Sequence, residues 1–416
     1  MEKREWSDLF TADLAVADPE IARLIAAQER QNRATVNLVA SETYCPAATL
    51  AAEASELVNK NAGGYPPRVS FNGGATMDAI ERLAVERAKA IFGAEHANIQ
   101  SLSATIANIA VLRALLRPGD RLMGFDMAAG GHNSHGDAEH LSGADYAVRS
   151  FGVDETTGAV DYEGARRLAH AFRPHMIVAG SSSYPLAIDF RVLAEIAAET
   201  DALLFCDIAH VSGLVIAGLH DNPTRYSAVV TTSTHKTFCG PRTGGLVLCK
   251  AEHAAAIDAA IAPGLQAAPG GHIIAARAVL FEIVRKPAFA ALMRQVVANA
   301  RALAEGLREA GATLYAGGTD THMVVVDLRD SVWTEGDLNN VLLDQGVTAN
   351  TTGLPARHGG HLGLRFGSTA MTIRGMDAAS FQRLGNELGR LLAGEKDPRR
   401  AGRILEWARQ FPLPSF

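Results

Sequence analysis

The sequence predicts an α/β fold with a mostly parallel central sheet that carries helices on both faces. Between Ala97 and Cys249, short apolar runs alternate with helical stretches such as 161–172 and 192–199. The runs are residues 121–125, 175–179, 202–206, 228–232 and 245–249. Strands that alternate with helices favour parallel pairing, and continuous apolar runs are typical of strands buried on both faces. Because such sheets bind ligands at the carboxyl ends of strands, the residues after these runs are candidates for a site.

The 416 residues are expected to divide into three units, since a domain typically has about 100–200 residues. Residues 1–45 alternate charged and apolar positions and predict an N-terminal helical arm. Residues 46–285 hold the sheet pattern and predict the large α/β domain. Residues 286–416 combine a long helical stretch with one strand-like run and a terminal helical pair, which predicts a smaller C-terminal α+β domain.

Two helix starts are predicted inside the large domain. Thr76 is expected to cap a helix that Gly93 closes. The run Ser101-Leu102-Ser103-Ala104-Thr105 is expected to begin another helix that runs through Ile109 to Leu116. Hydroxyls and amides at a helix start make a ready phosphate site, although many helices start with serine or threonine.

Composition excludes several classes of protein. A net charge of -6 gives no basic footprint for nucleic acid. The longest apolar stretch, 202–219, contains Asp207 and His210, which argues against a membrane span. The amino terminus lacks the apolar stretch of a secretory signal, and the four cysteines lack the spacing of metal ligands. These features predict a cytoplasmic enzyme with reduced thiols, no metal, and no nucleic-acid or membrane partner.

Lys236 is the strongest candidate for chemistry. It follows the apolar run 228–232 and precedes the turn Gly240-Pro241-Arg242. A lysine buried beside cationic or polar groups has a lowered pKa, which Schiff-base chemistry requires. An isolated lysine at a strand end would more simply be a surface residue, but the threonine-rich run before it and the turn after it favour the Schiff base.

Asp207 ends an apolar run, and a buried carboxylate is costly unless it is paired. A protonated pyridine nitrogen is a suitable partner, and His210 could contact a ring oxygen or the substrate. The alternative is an aspartate that caps the next helix.

His132, flanked by glycines, suits stacking on a flat cofactor, although a lone histidine is more often structural. An amine, an acid, a phosphate cradle and a stacking ring are together what pyridoxal phosphate (PLP) requires.

From about residue 38 to residue 375, the chain resembles the serine hydroxymethyltransferase family of fold-type-I PLP-dependent transferases. The segments that carry the resemblance are Leu38-Val39-Ala40-Ser41-Glu42, Gly64-Tyr65-Pro66, Gly130-Gly131-His132, Asp207-Ile208-Ala209-His210-Val211-Ser212-Gly213-Leu214, Thr234-His235-Lys236-Thr237, Gly317-Gly318-Thr319-Asp320-Thr321-His322 and Leu364-Arg365-Phe366-Gly367.

The resemblance implies a role in cofactor binding for several residues. Lys236 would form the Schiff base with PLP, Asp207 would hold the pyridine nitrogen, and His132 would stack on the ring. Ser182 and His210 would contact the ring hydroxyl.

Other residues would hold the phosphate and the substrate. By the same resemblance, residues 103–105 would contribute to the phosphate site, with His235 beside the phosphate and the reaction face. Arg365 and Ser41 would bind the substrate carboxylate, and Tyr65 would line the substrate site. The family's active sites lie between subunits, so a homodimer or a dimer of dimers is implied.

The departures from the family cluster on the folate side. Asn61 replaces a tyrosine, and Gly63 replaces the glutamate that the family uses as acid–base group. Asn133 and Thr352 stand where the family has a leucine and an asparagine near the pterin, and Gln266-Ala267-Ala268 replaces a Gln-Gly-Gly turn. The PLP residues are therefore kept, whereas use of tetrahydrofolate is in question.

The favoured function is a folate-independent L-threonine-type aldolase or transaldolase. It would make or break the Cα–Cβ bond of β-hydroxy-α-amino acids through a glycine quinonoid and transfer a glycyl unit to an aldehyde. The base for the β-hydroxyl proton stays open between His132, His210, His235 and water. One alternative is a tetrahydrofolate-dependent serine or 2-methylserine hydroxymethyltransferase, and another is a PLP-binding protein with little turnover.

Overall fold

The computed structural model describes residues 8–68, 72–242, 244–355 and 361–414. Its strands are β1 Val36–Asn37, β2 His96–Asn98, β3 Arg121–Phe125, β4 Ala147–Phe151, β5 Met176–Gly180, β6 Leu203–Asp207, β7 Val229–Ser233, β8 Gly245–Cys249, β9 Met323–Asp327, β10 Val347–Thr348, β11 Asn350–Leu354 and β12 His361–Gly367.

The α-helices surround these strands. They are α1 Asp8–Thr11, α2 Leu14–Ala17, α3 Pro19–Ala34, α4 Ala47–Glu53, α5 Ala75–Phe92, α6 Ala104–Leu115, α7 Leu141–Asp145, α8 Tyr162–Phe172, α9 Phe190–Glu199, α10 Ser212–Ile216, α11 Ala254–Ala259, α12 Gly271–Val284, α13 Pro287–Glu309, α14 Glu335–Asp344, α15 Thr369–Ile373, α16 Ala378–Leu392 and α17 Arg400–Gln410.

Among the described residues, the central sheet has seven strands in the order β2-β8-β7-β6-β5-β3-β4, and β8 runs opposite to the other six. Successive side chains enter two separate cores: Leu204 packs with α8, α9 and α12, whereas Phe205 packs with α6 and α11. Both faces of the sheet are therefore buried, as continuous apolar runs require. The predicted α/β fold with a mostly parallel sheet is confirmed.

The C-terminal part of the chain forms a second, antiparallel sheet in the order β11-β12-β9. Helices α13 and α16 pack with it around Leu303, Phe366 and Leu388. Val36 and Leu38 belong to this same core, because β1 pairs in parallel with β10. The domain bounds at residues 45 and 285 stay predictions.

One helix start differs from its prediction. Helix α5 begins at Ala75 with Gly74 at the N-cap, so Thr76 lies inside the helix and the predicted Thr76 cap is wrong. The Asp78 carboxylate, in the first turn of the helix, accepts a hydrogen bond from the Arg68 amide at 3.0 Å. Gly93 closes the helix in the left-handed conformation, as predicted.

The described residues contain no helix long and apolar enough to cross a membrane. Cys45, Cys206, Cys239 and Cys249 are free thiols. Within the same residues, no group of histidine, cysteine and acidic side chains is arranged to hold a metal ion.

Arg374, at the end of α15, links the end of helix α3 to the end of helix α17. Its guanidinium donates to the carbonyl oxygens of Thr35 at 2.8 Å, Ala408 at 2.6 Å and Phe411 at 2.5 Å. Arg374 is buried, and so are two of its acceptor residues, Thr35 and Ala408.

We therefore expect Arg374→Met to lower the free energy of unfolding by about 2–4 kcal/mol, because the carbonyls of the buried Thr35 and Ala408 would lose their donor. Urea denaturation would measure this loss. Arg390→Met, at an exposed position of α16, is the matched control and should change stability by less than about 0.5 kcal/mol. Equal losses in the two variants would contradict the role of Arg374.

Candidate active site

The carboxyl ends of three neighbouring strands bring the candidate residues together. Gly180 of β5 pairs with Asp207 of β6, which pairs with Thr231 of β7. A Cβ atom on Gly180 would lie 2.4 Å from the Asp207 carbonyl oxygen, so only glycine permits this approach. Ser182 and Lys236 follow directly after β5 and β7 at the same edge.

Asp207 is buried, yet its carboxylate is well satisfied. Its Oδ1 accepts from the Ala209 amide at 2.9 Å, and its Oδ2 accepts from Asn108 Nδ2 at 2.8 Å. His135 Nε2 lies 3.1 Å from the same Oδ2. Burial alone would raise the pKa of Asp207, but the His135 hydrogen bond and nearby positive charge hold it well below its usual range. Asp207 does not cap helix α10, so the capping alternative is wrong.

Asn108 has its amide orientation fixed by its partners. Because the Asp207 carboxylate only accepts, Asn108 Nδ2 must face it, and this places Asn108 Oδ1 toward the Thr231 hydroxyl, which donates at 2.6 Å. The same Nδ2 also donates to Ser134 Oγ at 2.8 Å. Asn108, Ser134, His135 and Thr231 were not among the predicted site residues.

His132 extends this network toward the ligand side. Its Nδ1 lies 3.2 Å from the Ser134 amide, which donates to it, and 2.7 Å from Ser134 Oγ. Burial foremost, together with the neighbouring His135, lowers the pKa of His132 to about 4. A neutral ring whose Nδ1 accepts must carry its hydrogen on Nε2, so His132 presents a flat, uncharged face and a single N–H donor.

Lys236 is 9% exposed and lies in the left-handed region with φ 62°. A non-glycine residue in that region is strained, and such strain is concentrated at functional sites. Burial first, and then the charges of Arg365 and Arg242, lower the pKa of Lys236 to about 8, against the opposing charge of Asp207. The lowered pKa expected from the sequence is thus present.

Arg365, on β12, lies beside Ser182. Its Nη2 donates to Asn350 Oδ1 at 2.9 Å, and its Nη1 donates to the Ser182 carbonyl at 2.5 Å and to Ser183 Oγ at 3.2 Å. Burial lowers the pKa of Arg365 to about 10. All its hydrogen-bond partners among the described residues are neutral oxygens, so this buried cation remains available to an anionic ligand.

Ser41 is held close to the same strand. Gly367 donates its amide to the Leu38 carbonyl at 2.7 Å, and a Cβ atom on Gly367 would lie 2.4 Å from Ala40 Cα. The turn that carries Ser41 therefore packs directly against β12, two residues beyond Arg365.

The predicted phosphate residues lie at the start of α6, next to the strand that follows Lys236. Ser103 is the N-cap and its Oγ accepts from the Ile106 amide at 3.1 Å. A Cβ atom on Gly245 would lie 2.2 Å from the Ser103 carbonyl oxygen, so β8 touches this turn. The first amides of a helix lack partners within the helix, which leaves those of Ala104 and Thr105 suited to an anion.

Two polar atoms next to Lys236 are buried without a hydrogen-bond partner among the described residues. They are Ser233 Oγ and His235 Nδ1. Burial first, then the charges of Lys236 and Arg242, lower the pKa of His235 to about 3. Unsatisfied buried polar atoms of this kind are what a phosphate-bearing ligand would satisfy.

Tyr65 is the predicted residue that this cluster does not include. Its hydroxyl donates to the Asp258 carbonyl at 2.8 Å and accepts from Asn98 Nδ2 at 2.8 Å. Arg68 holds the same loop from inside, since its Nε donates to the Ala62 carbonyl at 2.8 Å and its guanidinium pairs with Asp78 at 2.7 Å.

A family model described as serine hydroxymethyltransferase matches residues 14–388, most of the chain. That family uses PLP. The donor set fits this cofactor, because it combines a buried amine of lowered pKa, a buried ionised carboxylate and unsatisfied polar atoms on residues next to the amine.

The lowered pKa of Lys236 predicts how the protein without cofactor reacts with PLP at different pH. Only the neutral amine attacks an aldehyde, so the rate should rise about tenfold per pH unit and level off above about pH 8. Stopped-flow absorbance from pH 6 to pH 10 would measure it. Because Asp207 raises the pKa of Lys236, Asp207→Asn should move the midpoint to lower pH. A wild-type midpoint near 10.5 would contradict the geometry.

Proposed function

The chain belongs to the serine hydroxymethyltransferase family of fold-type-I, PLP-dependent enzymes, and from this premise we propose that it is a folate-independent aldolase or transaldolase. The family acts on the Cα–Cβ bond of amino acids. The proposed reaction cleaves a β-hydroxy-α-amino acid of the L-threonine type and either releases an aldehyde or passes the glycyl unit to a second aldehyde.

We propose that Lys236 holds the cofactor aldehyde, Asp207 its pyridine nitrogen and His132 its ring face. Ser182 and His210 would contact the ring hydroxyl. When bound, PLP withdraws electrons from Cα and so weakens the bond to Cβ. The ionised state of Asp207 supports this arrangement, because a carboxylate held below its usual pKa stabilises a positive partner.

The phosphate would lie at the start of α6, with residues 103–105 as its ligands and His235 beside it. Ser233 pairs with Gly245, which touches Ser103, and the unsatisfied Ser233 Oγ and His235 Nδ1 support this placement because both need a hydrogen-bond partner.

Arg365 supports an amino-acid substrate. A buried guanidinium whose partners are neutral can bind a carboxylate through two parallel hydrogen bonds, and Ser41 lies on the turn beside it. Gripping the carboxylate at this point fixes the rotation about Cα, so that the bond to Cβ can be held in one orientation.

The proposed independence from folate rests on one observation, the glycine at position 63. A glycine cannot move a proton, whereas the family uses a glutamate at this place. The neighbouring stretch is anchored to its own chain by the buried Arg68. His132 and His235 have pKa values of about 4 and about 3, so both are weak bases, and a water molecule is the favoured acceptor of the β-hydroxyl proton.

The alternative is a tetrahydrofolate-dependent serine or 2-methylserine hydroxymethyltransferase. The extent of the family match favours this alternative, because residues 14–388 include both the PLP residues and the folate-side positions at which the chain departs from the family.

A homodimer, or a dimer of dimers, is part of the proposal. Large apolar side chains are exposed along the N-terminal helices, with Phe10 at 82%, Leu9 at 80% and Val16 at 76%. Val58, which precedes the Gly63 loop, is exposed at 57%. Clusters of this kind mark surfaces that another chain covers. We place the enzyme in the cytoplasm, acting on a small amino acid and an aldehyde.

The function predicts aldehyde release without folate. Protein loaded with PLP should form glycine and acetaldehyde from L-threonine at the same rate with and without tetrahydrofolate, and the coupled reduction of acetaldehyde would report the rate. Lys236→Ala is the negative control. Strict dependence on tetrahydrofolate, with L-serine as the substrate, would instead establish the alternative.

The role of Arg365 predicts a change in substrate binding. Arg365→Lys keeps the charge but loses the bidentate fork, so KM for the amino acid should rise about 10–100-fold with a smaller change in kcat. Arg113→Lys, at an exposed position of α6, is the matched control. An unchanged KM in Arg365→Lys would remove Arg365 from the substrate site.

A further inference from the structure

His322 lies where three parts of the site meet. It precedes β9, and its carbonyl oxygen accepts from the Ser368 amide at 2.9 Å. Its Nε2 lies 3.2 Å from the carbonyl oxygen of Ala40, the residue before Ser41. The same Nε2 lies 3.4 Å from Nδ1 of His210, and the two rings stack with centroids 5.5 Å apart. Neither histidine has appreciable solvent exposure.

The hydrogen positions of this pair follow from its partners. A carbonyl oxygen only accepts, so the hydrogen of His322 must lie on Nε2, where it points toward Ala40 and His210. A second hydrogen on His210 Nδ1 would then face the first at close range. His210 Nδ1 is therefore the bare nitrogen, and a neutral His210 must carry its hydrogen on Nε2.

Both rings are neutral for a physical reason. Burial first, and then the charges of Lys236 and Arg365, put the pKa of His210 well below its ordinary value. Burial and Arg365 lower the pKa of His322 to about 3. A cation on either ring would be buried beside two existing cations.

The backbone of His210 is fixed as well. Thr237, the neighbour of Lys236, donates its hydroxyl to the His210 carbonyl at 2.8 Å and accepts from the Gly213 amide at 3.1 Å. His210 Nε2 makes no hydrogen bond to another described residue, so its N–H remains for a ligand.

We propose that His322 is a positioning residue that fixes His210 as a hydrogen-bond donor, with its Nε2–H directed to the ligand. Because His210 Nε2 already carries a hydrogen, it cannot accept the β-hydroxyl proton of the substrate. Fewer candidates then remain for the base that takes this proton. His322 also contacts both the turn that carries Ser41, through the Ala40 carbonyl, and the end of the Arg365 strand, through the Ser368 amide. The two groups proposed to bind the carboxylate are therefore held by the same residue. Only the kinetic part of the inference rests on the proposed function.

Two variants of His322 distinguish the loss of its Nε2–H donor from a change in the size of the side chain. A glutamine amide nitrogen reaches about as far as histidine Nε2, so His322→Gln keeps the donor to Ala40 and His210. An asparagine amide reaches only about as far as Nδ1, so His322→Asn leaves both partners without it. His220→Asn, at a partly buried histidine outside the cluster, is a further control.

Long-range proton–nitrogen NMR spectra of the histidine-labelled protein would read the His210 tautomer directly. The His210 signals are identified by their loss in His210→Gln. We expect the hydrogen on Nε2 in the wild type and in His322→Gln, and a mixture of tautomers in His322→Asn. A wild-type hydrogen on Nδ1 would overturn the inference, and this outcome is read from the wild-type protein once His210→Gln has identified the signals.

The rate of aldehyde release gives the second readout. We expect kcat to fall about tenfold or more in His322→Asn and to stay within about threefold in His322→Gln and His220→Asn. Equal kcat values in all variants would remove His322 from the mechanism. If no β-hydroxy-α-amino acid is cleaved by the wild type, the proposed function fails, while the NMR result still decides the role of His322.

Discussion

An ionised carboxylate buried at the end of β6 is the constraint on which the rest of the site depends. Asp207 can keep its charge only because Asn108, His135 and the Ala209 amide each donate to it. That requirement fixes the Asn108 amide, which in turn orders Ser134 and, through it, His132. A single desolvated charge thus dictates the geometry of a network contributed by four separate segments of the chain.

The sequence predicted the sheet well and its supporting network poorly. The strands could be predicted because burial on both faces of a sheet requires continuous apolar residues. Three of the strands lie one residue later than predicted, and Asp207 is the last residue of one of them. Lys236 could be predicted as a site residue because a threonine-rich run precedes it and a Gly-Pro-Arg turn follows it. Asn108 was missed because an asparagine inside a helix carries no local signal. Its role arises only when folding brings it against Asp207, from a position 99 residues away in sequence.

The two sides of the site differ in how they are built. Apart from His132, the residues proposed for the cofactor lie at or after strand ends or at the start of α6, where packing leaves little freedom. Two departures from the family pattern lie outside the strands and α-helices, Gly63 in the stretch that Arg68 anchors and Asn133 in the turn after His132, whereas Thr352 lies in β11. Loops accept substitution without disturbing the core. The chain can therefore keep one chemistry while the surroundings of the substrate change.

The pairing of β1 with β10 has a consequence for biosynthesis. The turn that carries Ser41 emerges early from the ribosome, but its supports, Val347 and Gly367, are made near the end of translation. The sheet of the large core can assemble before then, because its strands lie within residues 96–249. The carboxylate-binding side would consequently be the last part to form, so a nascent or truncated chain could acquire the lysine pocket without yet being able to hold an amino acid.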